Sequence, residues 1–141
     1  MLRLIERKAT RQWQRIESRS TQQRLPAGLI LVPTEVWLAR RFELVQREAE
    51  HGWAFGIWLG AGEGLGDVER DIHDFAAIAV EFDRYDDGKG FAIAGRLRRT
   101  LGFSGELHAF GDIFPSDFIP LKMTGYDAFE FAVNAPLALA V

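Results

Sequence analysis

The chain has 141 residues, a net charge of −3 and no cysteine. That length fits one compact domain, and a hydrophobic share of 48% is enough apolar mass for a real core. The lack of cysteine excludes thiol redox chemistry, a cysteine-ligated iron–sulfur cluster and a disulfide framework, and the acidic balance argues against nucleic-acid binding by the molecule as a whole.

The opening residues, MLRLIERKATRQW, lack the apolar run of a signal peptide. No stretch approaches the roughly 18 apolar residues that span a bilayer. A cytoplasmic protein with neither membrane nor nucleic-acid partners is expected. Residues 1–24 are polar and arginine-rich, with Trp13 and Ile16 as the main apolar anchors after Leu2, Leu4 and Ile5. They read as an N-terminal arm or hairpin, and residues 25–141 as a single α/β domain. The basic arm suits phosphate, but Glu6 and Glu17 dilute its charge, which favours a solvated arm tied down by Trp13.

Regular order follows. GLILVP, bounded by Gly28 and Pro33, reads as a buried strand. TEVWLARRFELVQREAEHG reads as a helix with Thr34 as its N-cap and Gly52 as its stop. Val36, Trp37, Leu38, Phe42, Leu44 and Val45 supply its apolar positions. WAFGIWLG is a second strand, DVERDIHDFA a short helix opened by Asp67, and AIAVEF a third strand. GFAIAGRLRRTLG is a third helix with Phe91, Ala94, Leu97 and Leu101 on one face and Gly102 past its end. GELHAFG is a fourth strand. SDFIPLKMTG is a fourth helix made imperfect by Pro120, and DAFEFAV is a fifth strand.

Continuous apolar strands alternating with helices predict a mainly parallel sheet of about five strands covered on both faces. An open doubly wound sheet and a partial β/α barrel both satisfy the pattern. Five strands cannot close an eight-stranded barrel, which favours the open sheet.

Most motifs fail on spacing. GAGEGLGD, residues 60–67, follows a strand, but a dinucleotide fingerprint needs a third glycine where Leu65 or Asp67 stands. Lys89 is followed by Gly90 rather than Ser or Thr, so there is no P-loop. In DRYDDG, Tyr85 and Ala94 occupy positions where a calcium loop needs oxygen ligands. GFSGE is no nucleophile elbow, since Glu106 replaces its second glycine. His51, His73 and His108 lack metal-ligand spacing, so no metal is expected. His108 reads as a satisfied strand histidine, with a catalytic or ligand role as the minority alternative.

What remains is position. Loops at the carboxyl ends of parallel strands carry ligands. Glu81 ends the third strand, Gly111 and Asp112 follow the fourth, and Glu130 lies in the fifth. Glu81, Asp112 and Glu130 are the catalytic candidates: if they converge, their pKa values separate for acid/base work. In the preferred alternative they cap helices or pair with Arg84, Lys89 and Arg96. Asp87, Gly88, Lys89, Gly90 and Gly111 are the anion-binding candidates. The first four lie at a helix start, where free amides and the helix dipole favour an anion. Asp86 or Asp87 competes there as a cap.

Residues 80–131 also carry a resemblance. Glu81-Phe82, Asp87-Gly88-Lys89-Gly90-Phe91, Gly105-Glu106-Leu107-His108, Gly111-Asp112-Ile113 and Gly125-Tyr126-Asp127-Ala128-Phe129-Glu130 match a family pattern. That pattern reads Glu-Phe, an acidic spacer, Asp-Gly-Arg-Gly-Tyr-Ser, an Arg-rich helix, Gly-Glu-Leu-Arg, Gly-Asp-Val and Gly-Phe-Asp-Ala-Phe-Glu. WQRI and LPAGLILVP upstream are also similar. The chain thus resembles a bacterial family of unknown biochemical function whose members are commonly labelled as oxidoreductases involved in sulfite reduction. Lys89 replaces the usual Arg, Ala92 a common Ser, and Thr124 a common Cys, while FPSDFIP departs from an Arg- and Gln-containing helix start. The resemblance implies an association with assimilatory sulfite reduction and supplies no reaction.

Three functional readings follow. The preferred one is a non-catalytic accessory protein that binds a sulfite-reduction enzyme or a small anion at the strand carboxyl ends. The second is a small α/β enzyme using Glu81, Asp112, Glu130 and Lys89. The third is a flavin- or nicotinamide-dependent oxidoreductase, although the residues themselves specify no cofactor. Exposed sheet edges make a homodimer an additional expectation.

Overall fold

A computed structural model describes residues 3–6, 12–83 and 88–132, the first of these segments as backbone only. The element order is β1 (Arg3–Glu6), β2 (Gln14–Arg15), β3 (Ile30–Pro33), α1 (Thr34–His51), β4 (Phe55–Leu59), a 3-10 helix (Gly66–Asp74) and β5 (Ala77–Phe82). Then come α2 (Lys89–Gly95), which runs on as a π-helical turn (Arg96–Thr100), β6 (Glu106–Gly111), a 3-10 turn (Pro115–Asp117), α3 (Phe118–Thr124) and β7 (Ala128–Phe131).

All seven strands join one sheet in the order β1-β7-β6-β5-β4-β3-β2. Strands β2 to β7 are mutually parallel, and β1 pairs antiparallel with β7. The α/β domain with mainly parallel strands is therefore the expected one, and of its two layouts the partial barrel forms. Strand order follows sequence order without a reversal. Right-handed crossovers in one direction then carry every helix to the same face. The opening polar segment supplies a strand to each edge, Arg3–Glu6 on β7 and Gln14–Arg15 on β3.

Strand periodicity divides the side chains. Ile30, Val32, Phe55, Ile57, Leu59, Ile78, Val80, Phe82, Leu107, Ala109, Phe129 and Phe131 point toward the helices. There they pack with Val36, Trp37, Leu44, Ile72, Leu97 and Leu121. Leu31, Trp58, Ala77, Ala79 and Phe110 point the other way and are covered by Trp13. Both faces are covered, as continuous apolar strands require, but the second cover is the arm rather than helices.

The sheet is strongly curled. Arg15 on β2 bonds Glu130 on β7 at 3.1 and 3.3 Å, although five strand steps separate them. A flat sheet would hold those strands about 24 Å apart.

The helices follow local signals with two adjustments. Gly52 caps α1 in the left-handed conformation, with its N–H on Glu48 O. The N-cap position falls on Pro33, and the Thr34 hydroxyl donates to Glu63 instead. Pro120 is the third residue of α3, where its missing donor would have had no helical partner, so it does not interrupt the helix. No helix among the described residues is long and apolar enough to cross a membrane.

Candidate functional site

The concave face of the sheet is the site. On β6, alternation puts Glu106, His108 and Phe110 on this face, and on β7 it puts Glu130 there. The arm adds Trp13 and Arg15. Trp13, Arg15, His108, Phe110 and Glu130, together with Glu17, Leu31 and Ala79, line a cavity of about 210 Å³, and Glu106 holds His108 from beside it.

Arg15 is the central cation. Its guanidinium lies 3.8 Å from the Phe110 ring centroid, and its fork grips both oxygens of Glu130. Its side chain is only 18% exposed. Stacking and a bidentate carboxylate use the two properties that separate arginine from lysine. Farther out, Arg19 lies over the Trp58 ring at 4.7 Å and bonds Glu35 and Glu63. Desolvation works against the charged form of Arg19, but Glu63 and Glu35 outweigh it and hold the pKa above its ordinary value. Desolvation likewise opposes ionised Glu35, whose own backbone N–H and Arg19 nevertheless hold its carboxyl below the usual range.

His108 is buried and bonds Glu106 through Nε2 at 2.9 Å. Trp13 Nε1 donates to the same carboxylate oxygen at 3.0 Å. A carboxylate only accepts, so the proton of neutral His108 sits on Nε2, leaving a lone pair at Nδ1. Nδ1 has no hydrogen-bond partner among the described residues.

The expected site residues are dispersed. Glu81 and Glu130 lie at the same level on either side of Phe110, two strands apart, so roughly 10 Å separates their backbones. Glu130 enters the cavity and holds Arg15. Glu81 turns outward and accepts from Ala61 N at 3.0 Å. Asp112 is exposed beyond β6, its N–H on Phe82 O. Neither of the expected partner cations Lys89 and Arg96 takes these carboxylates: Lys89 reaches Gly62 O at 3.5 Å, and Arg96 pairs with Glu69. Arg84, Asp86 and Asp87 lie outside the described residues.

The candidate glycines serve a turn at Gly88 and close packing at Gly90 and Gly111. Gly88 caps α2 with φ at +90°, and Gly111 turns at φ +98° where a Cβ would strike Phe82 O at 2.3 Å. Gly90 lets α2 sit on β5, since a Cβ there would meet the Phe82 ring at 2.2 Å. Among the described residues, no group of three or more His, Asp and Glu side chains could hold a metal ion.

Arg15 and Glu106 are not legible in the sequence as ligand-binding or catalytic residues, and for His108 that role is only the minority reading. The available signal was period-two alternation in ELHAF, which aligns a carboxylate, an imidazole and an aromatic ring on one strand face. Nothing local brings Arg15 to them.

A curled parallel sheet with charged groups inside its concave face defines a small α/β domain with a polar cavity between its edges. The model of the bacterial family of unknown function DUF934 matches residues 56–140, more than half of the chain, and the protein belongs to that family. No curated protein and no solved structure matches it.

Proposed function

We propose that this protein is an accessory protein of assimilatory sulfite reduction that holds a small anion inside its curled sheet. The observation that carries the binding half is the retention of Arg15, Glu130, Glu106 and His108 on an inward face. The inside of a parallel barrel is ordinarily filled by packed apolar side chains. Replacing a buried ion pair with apolar residues is often neutral or stabilising, so stability alone is a weak reason to keep these charges. Ligand recognition is a better one. The pathway half rests on the sequence resemblance described above. The reading includes a cytoplasmic location, contact with sulfite-reduction enzymes and self-association through sheet edges.

This reading places the anion in the concave interior rather than at the strand carboxyl ends, because Arg15 and His108 line a cavity there. A small enzyme working in the same cavity is the second reading. It is favoured by the His108–Glu106 pair, in which a carboxylate orients an imidazole toward a cavity.

Deleting the gene tests the pathway. The expected result is poor growth with sulfate or sulfite as the sole sulfur source and normal growth with sulfide or cysteine. Equal growth on all four refutes the assignment to sulfite reduction.

A further inference from the structure

Glu130 occupies Arg15 as a ligand would. Its carboxylate presents two oxygens to the guanidinium fork, at 3.1 and 3.3 Å, beside a cavity of about 210 Å³. It comes from β7, at the opposite side of the sheet from Arg15, and its side chain is 21% exposed, so a rotamer change takes it toward water. On the same face, His108 offers an acceptor at Nδ1 because Glu106 holds its proton on Nε2. The complementary ligand has two acceptor oxygens for Arg15 and one proton for His108.

We infer that the cavity takes a small protonated oxyanion, which displaces Glu130 from Arg15 and donates a hydrogen bond to His108 Nδ1. Hydrogensulfite and a short 2-hydroxy acid share this chemistry. A fully deprotonated anion without a hydroxyl does not. The inference deepens the anion-binding half of the proposed function and is independent of the pathway. Glu130 thereby acts as an internal competitor that closes the curled sheet when no ligand is bound.

Titration calorimetry on the full chain, with sulfite, glycolate, acetate and nitrate as probes, tests this. Sulfite or glycolate is expected to bind more tightly than acetate and nitrate. Binding of sulfite alone identifies an inorganic ligand, and binding of glycolate alone an organic one. Glu130→Gln weakens the internal contact and should tighten binding about tenfold, since a charged hydrogen bond is roughly twice as strong as a neutral one. His108→Phe should erase the preference for proton-bearing probes, and Arg15→Met should abolish binding. An unmutated check is the Trp13 indole NMR signal, which should shift with the same probes because Trp13 lines the cavity. The inference is overturned if all four probes bind equally, if Glu130→Gln leaves affinity unchanged, or if neither wild type nor Glu130→Gln responds to sulfite or glycolate. Failure here leaves the growth phenotype untouched, and failure of the growth test leaves this site untouched.

Discussion

The two faces of this sheet obey different rules. The helix-covered face is a close-packed apolar layer in which Ile57, Ile78, Leu107 and Phe129 are fully buried. The concave face mixes Leu31, Trp58 and Phe110 with Arg15, Glu106, His108 and Glu130. The same strands supply both through simple alternation. The contrast separates what holds the fold together from what the fold presents: the helix face is the apolar core, and the concave face carries the part-buried charged groups.

The contrast breaks first where packing is removed. Phe129→Ala empties a fully buried position against Phe118 and Phe131 and should cost about 3–5 kcal/mol in urea denaturation. A loss below about 1 kcal/mol would mean that the helix face does not dominate stability. Arg98 comes next, as a polar exception on the helix side. It donates to the carbonyls of Phe103, Gly105 and Gly125 and pairs with Asp127 at 2.7 Å. Arg98→Ala leaves these acceptors without their donor and should cost about 2–4 kcal/mol, visible as a lower thermal midpoint.

The concave face should respond differently. Glu130→Ala leaves Arg15 with only its longer contact to exposed Glu17 at 3.4 Å, for a loss of about 1–3 kcal/mol. Replacing both partners, as Arg15→Met with Glu130→Leu, should restore stability to within about 1 kcal/mol of wild type. Denaturation of wild type, Glu130→Ala and the double variant measures it. A double variant as unstable as Glu130→Ala would make the pair a structural element rather than a functional one.

The smallest effect lies at the rim, where Arg19 ties Glu35 and Glu63. Glu35 is held below its ordinary pKa in the fold, so its contribution is fully present above the unfolded-state value of about 4.3. That contribution is lost as pH falls through the depressed folded value. Glu35→Gln should therefore flatten the acid limb of the stability–pH curve by lowering its neutral plateau slightly while leaving the acid end unchanged, the drop being small because exposed pairs contribute little. An unaltered acid limb would refute the linkage.

Legibility in the sequence followed locality. AIAVEF became β5 end to end, and Gly52 stopped α1, because a short apolar run and a left-handed cap depend on near neighbours. The strand position of Glu130 is legible in the sequence, yet its partner Arg15 is not. Glu81 and Asp112 were picked by the same rule and went elsewhere, one to a loop amide and one to solvent. His108 read as a satisfied strand histidine, and its bond to Glu106 gives that satisfaction a direction, with Nδ1 left over.

By itself, the sequence determined that the chain alternates strands and helices around an apolar layer, and where most of those elements begin and end. Periodicity and turn residues act over a few positions, and they are written in the chain. The tertiary structure alone decided that the sheet curls, that the polar arm supplies both edges, and that Arg15 meets Glu130 across 115 residues. Curl and edge closure arise from the summed twist and packing of all the strands together, and no local segment encodes that sum.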